Sequence, residues 1–156
     1  MHLTSRHELP ADPDAAFTML TNEAFLSQAA RASGARNIHA LASATRTAVE
    51  ATVDSPAAVR AFIGTELTFT QTITWGPREA DGARTGNVTI DIKGAPASLG
   101  GTVRLAPTAS GSSLDWDGEF TVSVPFVGPS VERAAAPMIE ESLDVIGSQA
   151  RVWLTR

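Results

Sequence analysis

The strictest pattern in the chain is the alternation of residues 66–75, ELTFTQTITW. From Leu67 to Trp75 every second residue is apolar except Gln71, and a threonine occupies each position between. Such alternation is typical of a β-strand with one buried face and one solvated face. The segment therefore predicts an antiparallel sheet whose inner face includes Phe69 and Gln71.

Three later segments repeat this pattern. RTGNVTIDI, ASLGGTVRLAP and SSLDWDGEFTVSV alternate in the same way, so they predict further antiparallel strands joined as hairpins. Glycines interrupt these strands at positions 100, 101 and 118, and glycine inside a strand permits strong bending, which predicts a curved sheet. We expect the inner face of this sheet to include Ile90, Val103, Trp116 and Phe120.

The residues before the alternating strands predict one strand and two short helices. Residues 2–9 alternate and predict a half-buried strand. Asp12 is the expected N-cap of the first helix, because the proline that follows it is well suited to the first helical position. The second helix is expected to begin at Thr21 or Asn22 and to stop at Gly34.

Two interpretations remain open for residues 36–54. Weak alternation predicts two strands, over 36–42 and 44–53, whereas the high alanine content favours one helix across 40–50. Residues 57–63 predict a short helical turn that ends at a glycine. This middle section is the part of the chain whose secondary structure the sequence constrains least.

The C-terminal residues 128–154 predict one long amphipathic helix. Pro137 falls on the polar side of the helical wheel, so the helix is expected to bend with its convex side toward solvent. Ser142 and Gln149 instead fall near the centre of the apolar arc. That arc consists of Val131, Ala135, Met138, Ile139, Leu143, Val145, Ile146, Ala150, Trp153 and Leu154.

A strand, two short helices, a long curved sheet and a closing helix follow one another in an order that resembles the START-like (SRPBCC) superfamily. The segments that carry the resemblance are MHLTSRHELPADPDAAFTML, FIGTELTFTQTITWGP, GAPASLGGTVRLAPT and VPFVGPSVERAAAPMIEESL. Within that superfamily the chain is most similar to the actinobacterial family catalogued as domain of unknown function 2505. The resemblance implies one α+β domain over residues 1–156, with the helix-grip (START/Bet v 1-like) fold.

This resemblance also implies a cavity between sheet and helix for a lipid-like or aromatic small molecule. The residues expected to line it share predicted inward positions: Phe69, Gln71, Ile90, Val103, Trp116, Phe120, Met138, Ser142, Val145 and Gln149. An unpaired buried amide or hydroxyl costs about 1–3 kcal/mol, so the three polar members need partners. Those partners are either other protein groups and trapped water, or the polar end of a ligand.

Catalysis has few candidate residues in this sequence. The chain contains no cysteine and no tyrosine, and Lys93 is predicted on the outer face of the sheet. His7, which shares the inward face of its strand with Ser5, is the one histidine placed to act as an acid or anchor. An enzyme of the cyclase or hydrolase type using His7 is therefore one alternative to a binding protein. A structural or interaction protein whose helix packs flat on the sheet is the other.

A metal site is not expected. Asp115, Asp117 and Glu119 recur at every second position of one strand, with Asp91 on another, which predicts a solvated outer face. Arg104 is expected to offset their charge. A Ca²⁺ site would need several oxygens converging within about 2.5 Å of one point. The sequence therefore predicts neither a metal nor a cofactor.

Charge and composition limit the partners. The net charge is −5, and the 12 basic residues include one lysine and no run of arginines, which argues against nucleic acid and against polybasic membrane binding. The N-terminal residues lack the apolar core of a signal peptide, and no stretch of 18 apolar residues exists. We therefore expect a cytoplasmic protein without stable membrane insertion, whose partner is a hydrophobic or amphipathic small molecule.

Overall fold

The computed structural model describes all 156 residues and contains seven strands and four α-helices. The sheet is antiparallel throughout, with strand order β1-β7-β6-β5-β4-β3-β2. The strands are β1 His2–Leu9, β2 Arg36–Ala42, β3 Arg46–Asp54, β4 Glu66–Trp75, β5 Arg84–Ile92, β6 Ala97–Thr108 and β7 Gly111–Val122. The helices are α1 Pro13–Leu20, α2 Glu23–Ala32, α3 Arg60–Ile63 and α4 Gly128–Leu154.

The first two helices begin at the expected caps. The Asp12 side chain accepts a hydrogen bond from the backbone N–H of Ala15, as its position before a proline predicts. Of the two candidates for the second cap, the structure has Asn22, whose side-chain oxygen accepts from Ala24 and Phe25. These caps satisfy N–H groups that a helix leaves without partners at its start. They start α1 and α2 directly after β1 in the chain, and α2 lies against α4 and β2.

Residues 36–54 form two strands rather than a helix. β2 and β3 pair antiparallel, and β3 pairs along its whole length with β4. The alanines of β3 are accommodated because the strand is a member of the sheet, where pairing and burial override intrinsic helix propensity. Ala57–Val59 forms a 3-10 turn that continues into α3, in agreement with the helical turn predicted there.

The glycines of β6 and β7 allow an unusually close approach of two strands. Gly101 is opposite Gly118 in the register. A Cβ added at Gly101 would lie 2.0 Å from the carbonyl oxygen of Asp117, so no other residue fits there without a backbone shift. This contact is consistent with the curvature predicted from glycines inside strands.

Helix α4 packs across the inner face of the sheet and contacts β1, β7, α1, α2 and the 3-10 turn. Pro137 is exposed, in agreement with its predicted position on the solvent side. The helix takes part in two hydrophobic clusters. One includes Trp75, Leu105, Leu114 and Ala150, and the other includes Val59, Phe120 and Val131. No helix of the protein combines the length and hydropathy needed to cross a bilayer.

Candidate ligand-binding cavity

Between the first part of α4 and the curved sheet lies a cavity of about 400 Å³. This volume is within the range of small-molecule sites in proteins. The packing is therefore not flat, in contrast to the alternative in which α4 closes directly onto the sheet. Phe62, which is 52% exposed, and the exposed Pro96 both line the cavity, so it reaches the surface between α3 and the β5–β6 turn.

The cavity wall is almost entirely apolar. No charged side chain lines it, and its polar side chains are Ser33, Gln71 and Ser142. Ser33 already donates a hydrogen bond to the carbonyl oxygen of Ala29. Gln71 and Ser142 take part in none of the side-chain hydrogen bonds of the structure, so their polar groups are free to meet an occupant.

Eight of the residues predicted from the sequence line this cavity. They come from four neighbouring strands and from α4: Phe69, Gln71, Ile90, Val103, Trp116, Phe120, Met138 and Ser142. The strands contribute them because residues at every second position share the inner face of the sheet. The helix contributes its two because they lie on the arc that faces the strands.

Gln149 does not line the cavity, which corrects the sequence prediction. It lies two turns beyond Ser142, about 10 Å along the helix axis, where α2 rather than empty space faces α4. Its side-chain oxygen accepts a hydrogen bond of 3.0 Å from the amide nitrogen of Gln28. Gln149 therefore forms an amide pair within the protein. This is the first of the two kinds of partner expected for an inward polar residue, and not a ligand.

Val145 is likewise outside the cavity wall. It is half-buried, but it is not one of the lining residues. On the helical wheel it lies at the edge of the apolar arc, about 60° from Ser142, which is enough to place it outside the cavity wall. Helical periodicity predicted that Val145 faces the protein, and it is indeed half-buried. Periodicity does not give which residues this side chain contacts.

The sequence interpretation missed the wall formed by α2 and α3. Phe25, Leu26, Ala29, Ala30 and Ser33 all line the cavity and recur at helical spacing along one face of α2. That spacing is the signal that could have identified them. The contribution of Val59, Phe62 and Ile63 depends instead on how the short turn folds back over the sheet.

Beyond the cavity, α4 closes tightly onto β1 at a histidine. The glycine at position 147 is buried, and a Cβ added there would lie 2.3 Å from Nδ1 of His7. His7 is 8% exposed, and its Nε2 lies 2.9 Å from the hydroxyl oxygen of Ser5 and 3.7 Å from a carboxylate oxygen of Asp144. The predicted inward position of His7 is correct, but the residue does not line the cavity. This placement removes the support for an enzyme that uses His7 there.

The environment of His7 favours its neutral form. Burial lowers the pKa of His7 below its usual value, and the positive charge of Arg151 acts in the same direction. The carboxylates of Asp144 and Asp115 oppose this shift. On the outer face of the same strand the trend is reversed, because a hydrogen bond to Asp117 raises the pKa of the exposed His2.

The period-two carboxylates of β7 lie on the solvated face, as predicted, and Arg104 lies opposite Asp115 in the register, although its ion pair is with another residue. Arg6 contacts Asp115 at 3.2 Å, and His2 contacts Asp117 at 2.6 Å, so β1 supplies the nearby cations. Arg104 pairs with Glu79 instead, at 2.8 Å. The chain contains no group of three or more acidic or histidine side chains arranged to hold a metal ion.

The fold has well-matched counterparts among solved structures. A STAR-related lipid transfer protein from Xanthomonas axonopodis matches with a TM-score of 0.70 and 18% identity, over 99% of this chain and 86% of its own. The Zhui aromatase/cyclase from Streptomyces sp. R1128 matches with a TM-score of 0.59 and 14% identity, over 96% of this chain and 93% of its own. At such identities the likeness establishes the fold, which is that of the START-like proteins.

The chain is also similar in sequence to proteins of mycobacteria. Uncharacterized proteins of Mycobacterium tuberculosis and Mycobacterium bovis are 27% identical over 92 residues, which is 58% of this chain. The matched stretch spans 52% of the length of those proteins, so about half of each has no counterpart in the alignment. The model of a family described as proteins of unknown function, DUF2505, matches residues 4–154. The chain therefore belongs to the DUF2505 family, and it has the helix-grip fold of the START-like proteins.

Proposed function

We propose that the protein binds a hydrophobic or amphipathic small molecule in the cavity between the sheet and α4. The observation that carries this proposal is an apolar space of about 400 Å³, lined without a charged side chain and open to the surface near Phe62. An unoccupied space of this size leaves the apolar side chains around it without packing partners, which a ligand would supply. The likeness to a lipid transfer protein and to an aromatase/cyclase agrees with this function.

The proposed contacts divide into an apolar wall and two polar positions. Gln71 on β4 and Ser142 on α4 would meet the polar group of the ligand, since neither has a partner within the protein. The apolar contacts would come from Phe69, Ile90, Val103, Trp116, Phe120 and Met138. No catalytic step is proposed, because the lining provides no acid, base or nucleophile stronger than the serine hydroxyls.

A cavity-filling substitution tests the proposal. Ala135→Phe places an aromatic ring in the cavity, whereas Ser148→Phe places the same ring on the exposed side of the same helix. We expect the first variant to bind N-phenyl-1-naphthylamine, a neutral apolar dye, at least about tenfold more weakly than the wild type, and the second to bind it equally well. Circular dichroism of both variants checks that the fold is retained.

A second measurement looks for the natural occupant. Protein purified from its own host is denatured and extracted with organic solvent, and the extract is analysed by mass spectrometry against an extract of the Ala135→Phe variant. A compound present only in the wild-type extract supports the proposal. If the dye gains no fluorescence with wild-type protein and no compound is extracted, the protein is not a small-molecule binder of this type.

A further inference from the structure

Two polar residues of the cavity wall, Gln71 and Ser142, indicate whether the occupant is charged or neutral. Gln71 is four residues from Leu67, the first lining residue of β4, which is about 13 Å along the strand. Ser142 is eleven residues from Val131, the first lining residue of α4, which is about 16 Å along the helix. Leu67 and Val131 lie at the end of the cavity formed by the 3-10 turn and α3, where it opens at Phe62, so Gln71 and Ser142 lie well inside it.

The deep part of the cavity offers only neutral groups. Its side chains include no Lys, Arg, His, Asp or Glu that could pair with an ionic group. The strands β4, β5, β6 and β7 that form its floor each have a neighbour on both sides, so their backbone N–H groups are occupied by the sheet. An ionised group placed there would lose its hydration without a compensating charge.

The groups left without partners around the cavity are uncharged hydrogen-bond donors and acceptors. The indole N–H groups of two lining residues, Trp75 and Trp116, are buried without an acceptor. The amide of Gln71 can donate two hydrogen bonds and accept two, and the hydroxyl of Ser142 can donate one and accept two. An uncharged oxygen-bearing group, which accepts hydrogen bonds from these donors and needs no opposite charge, is thus well matched to this environment.

We infer that the occupant enters with its polar end first, and that this end is an uncharged oxygen-bearing group such as a hydroxyl, carbonyl or ether. The inference rests on the proposed function and narrows it, because it separates neutral amphiphiles from fatty-acid anions and phosphate-bearing lipids. The remainder of the ligand is apolar and lies toward the opening, against the wall that includes Phe69, Phe120 and Ile139.

Ten-carbon probes of matched length test this charge preference. Decane, 1-decanol and decanoic acid are titrated against the wild-type protein by displacement of N-phenyl-1-naphthylamine at pH 8. We expect 1-decanol to bind more tightly than decane, and decanoic acid to bind roughly 1,000-fold more weakly than 1-decanol at this pH, because its carboxylate has no partner. Since only the protonated acid would enter, its affinity should rise about tenfold per unit as the pH falls from about 8 to 6, while that of 1-decanol stays level.

Substitutions at Gln71 provide an independent check. Gln71→Leu should lower the affinity for 1-decanol about tenfold while leaving that for decane unchanged. Gln71→Arg introduces a cation and should reverse the order, so that decanoate binds more tightly than 1-decanol. Gln149→Leu is the matched control, because that glutamine lies outside the cavity and its replacement should leave all three affinities unchanged.

The outcomes separate this inference from the proposed function. Equal affinity of the wild type for 1-decanol and decanoate at pH 8 would overturn the inference while leaving a hydrophobic ligand in place. Decanol binding that is insensitive to both Gln71 substitutions would overturn it as well, because the polar end would then lie elsewhere. Failure of all three probes and of the dye to bind would instead contradict the proposed function.

Discussion

The two halves of α4 meet the rest of the protein in opposite ways. Residues 131–146 face a cavity, and their inward side chains line it together with the sheet and α2. Residues 147–154 pack without such a space, as the glycine at position 147 rests on His7 and Ala150 is completely buried. The same helix is therefore in close contact with β1 at one end, the anchored end, whereas along the other a cavity lies between part of its inward face and the sheet.

The difference arises from side-chain size at the points of contact. A glycine permits the helix backbone to approach β1 to within the distance at which any Cβ would overlap the His7 ring. Toward the start of α4, Met138 and Ile139 line the cavity. Together with large inward residues of the strands, such as Phe69 and Phe120, they leave a gap between helix and sheet, and this gap is the cavity.

The largest effect is expected at the anchored end. Gly147→Leu should lower the free energy of unfolding by about 3 kcal/mol, because the added side chain must displace the buried imidazole of His7. Chemical denaturation of the variant measures this loss. Ser148→Leu, on the exposed side of the helix, is the control and should change the stability little.

A double variant determines whether His7 is the cause. In a His7→Ala background the imidazole is absent, so Gly147→Leu should cost much less than it does in the wild type. An equal cost in both backgrounds would mean that the contact between helix and histidine does not limit the approach of α4. The contrast between the two halves of the helix would then need another explanation.

A smaller effect is expected at the amide pair between α2 and α4. Gln149→Ala removes the acceptor of the Gln28 amide and should lower the free energy of unfolding by about 1 kcal/mol. Since Gln28 also accepts a hydrogen bond from Arg156, part of its hydrogen bonding is retained. Thermal denaturation measures the change, and Gln28→Ala should give a similar loss. A marked loss of dye binding by Gln149→Ala would contradict its placement outside the cavity.

The smallest effect is a pH dependence of the anchored end. Because burial lowers the folded-state pKa of His7 below 6.5, the unfolded chain binds its proton more readily, and stability declines as the pH falls below 6.5. The carboxylates of Asp144 and Asp115 reduce this decline, whereas Arg151 increases it. The variant His7→Gln should lose less stability over this range than the wild type, as measured by denaturation at a series of pH values.

The second histidine of the same strand provides a control with the opposite sign. A hydrogen bond to Asp117 raises the folded-state pKa of His2, so its contribution is present below pH 6.5 and is lost as the pH rises through the raised value. In His2→Gln the loss of stability between pH 6.5 and the raised pKa should therefore be absent, whereas the decline below pH 6.5 should match that of the wild type. Identical pH profiles for the two variants would show that neither histidine affects stability through its charge.

Local rules predicted the elements of the fold from particular residues. The alternation in ELTFTQTITW predicted β4 and its inner face, and Asp12 before a proline predicted the start of α1. Pro137 was correctly assigned to the exposed side of α4. These features depend on the periodicity and conformational preferences of short segments, which are present in the sequence whatever the rest of the chain does.

The candidate site was predicted in part, and the errors have one physical origin. Helical periodicity gives the direction of a side chain but not the distance to the surface it faces. Ser142 and Gln149 lie on the same arc, yet the first faces a cavity and the second an amide of α2. What an inward side chain meets depends on the curvature of the sheet and on the position of other helices, which are set by contacts between distant segments.

Sequence alone thus established the order of strands and helices outside residues 36–54, the inward and outward faces of the alternating strands and of α4, and the START-like architecture that they resemble. The tertiary structure established that a cavity is present, where it ends, and which polar residues are left without partners. It also gave Gly147 its role, since the reason for a glycine inside a helix is the imidazole of His7, which lies 140 positions earlier in the chain. The direction in which a side chain points is a local property of the backbone. The distance from that side chain to the surface it faces results from the packing of the whole molecule.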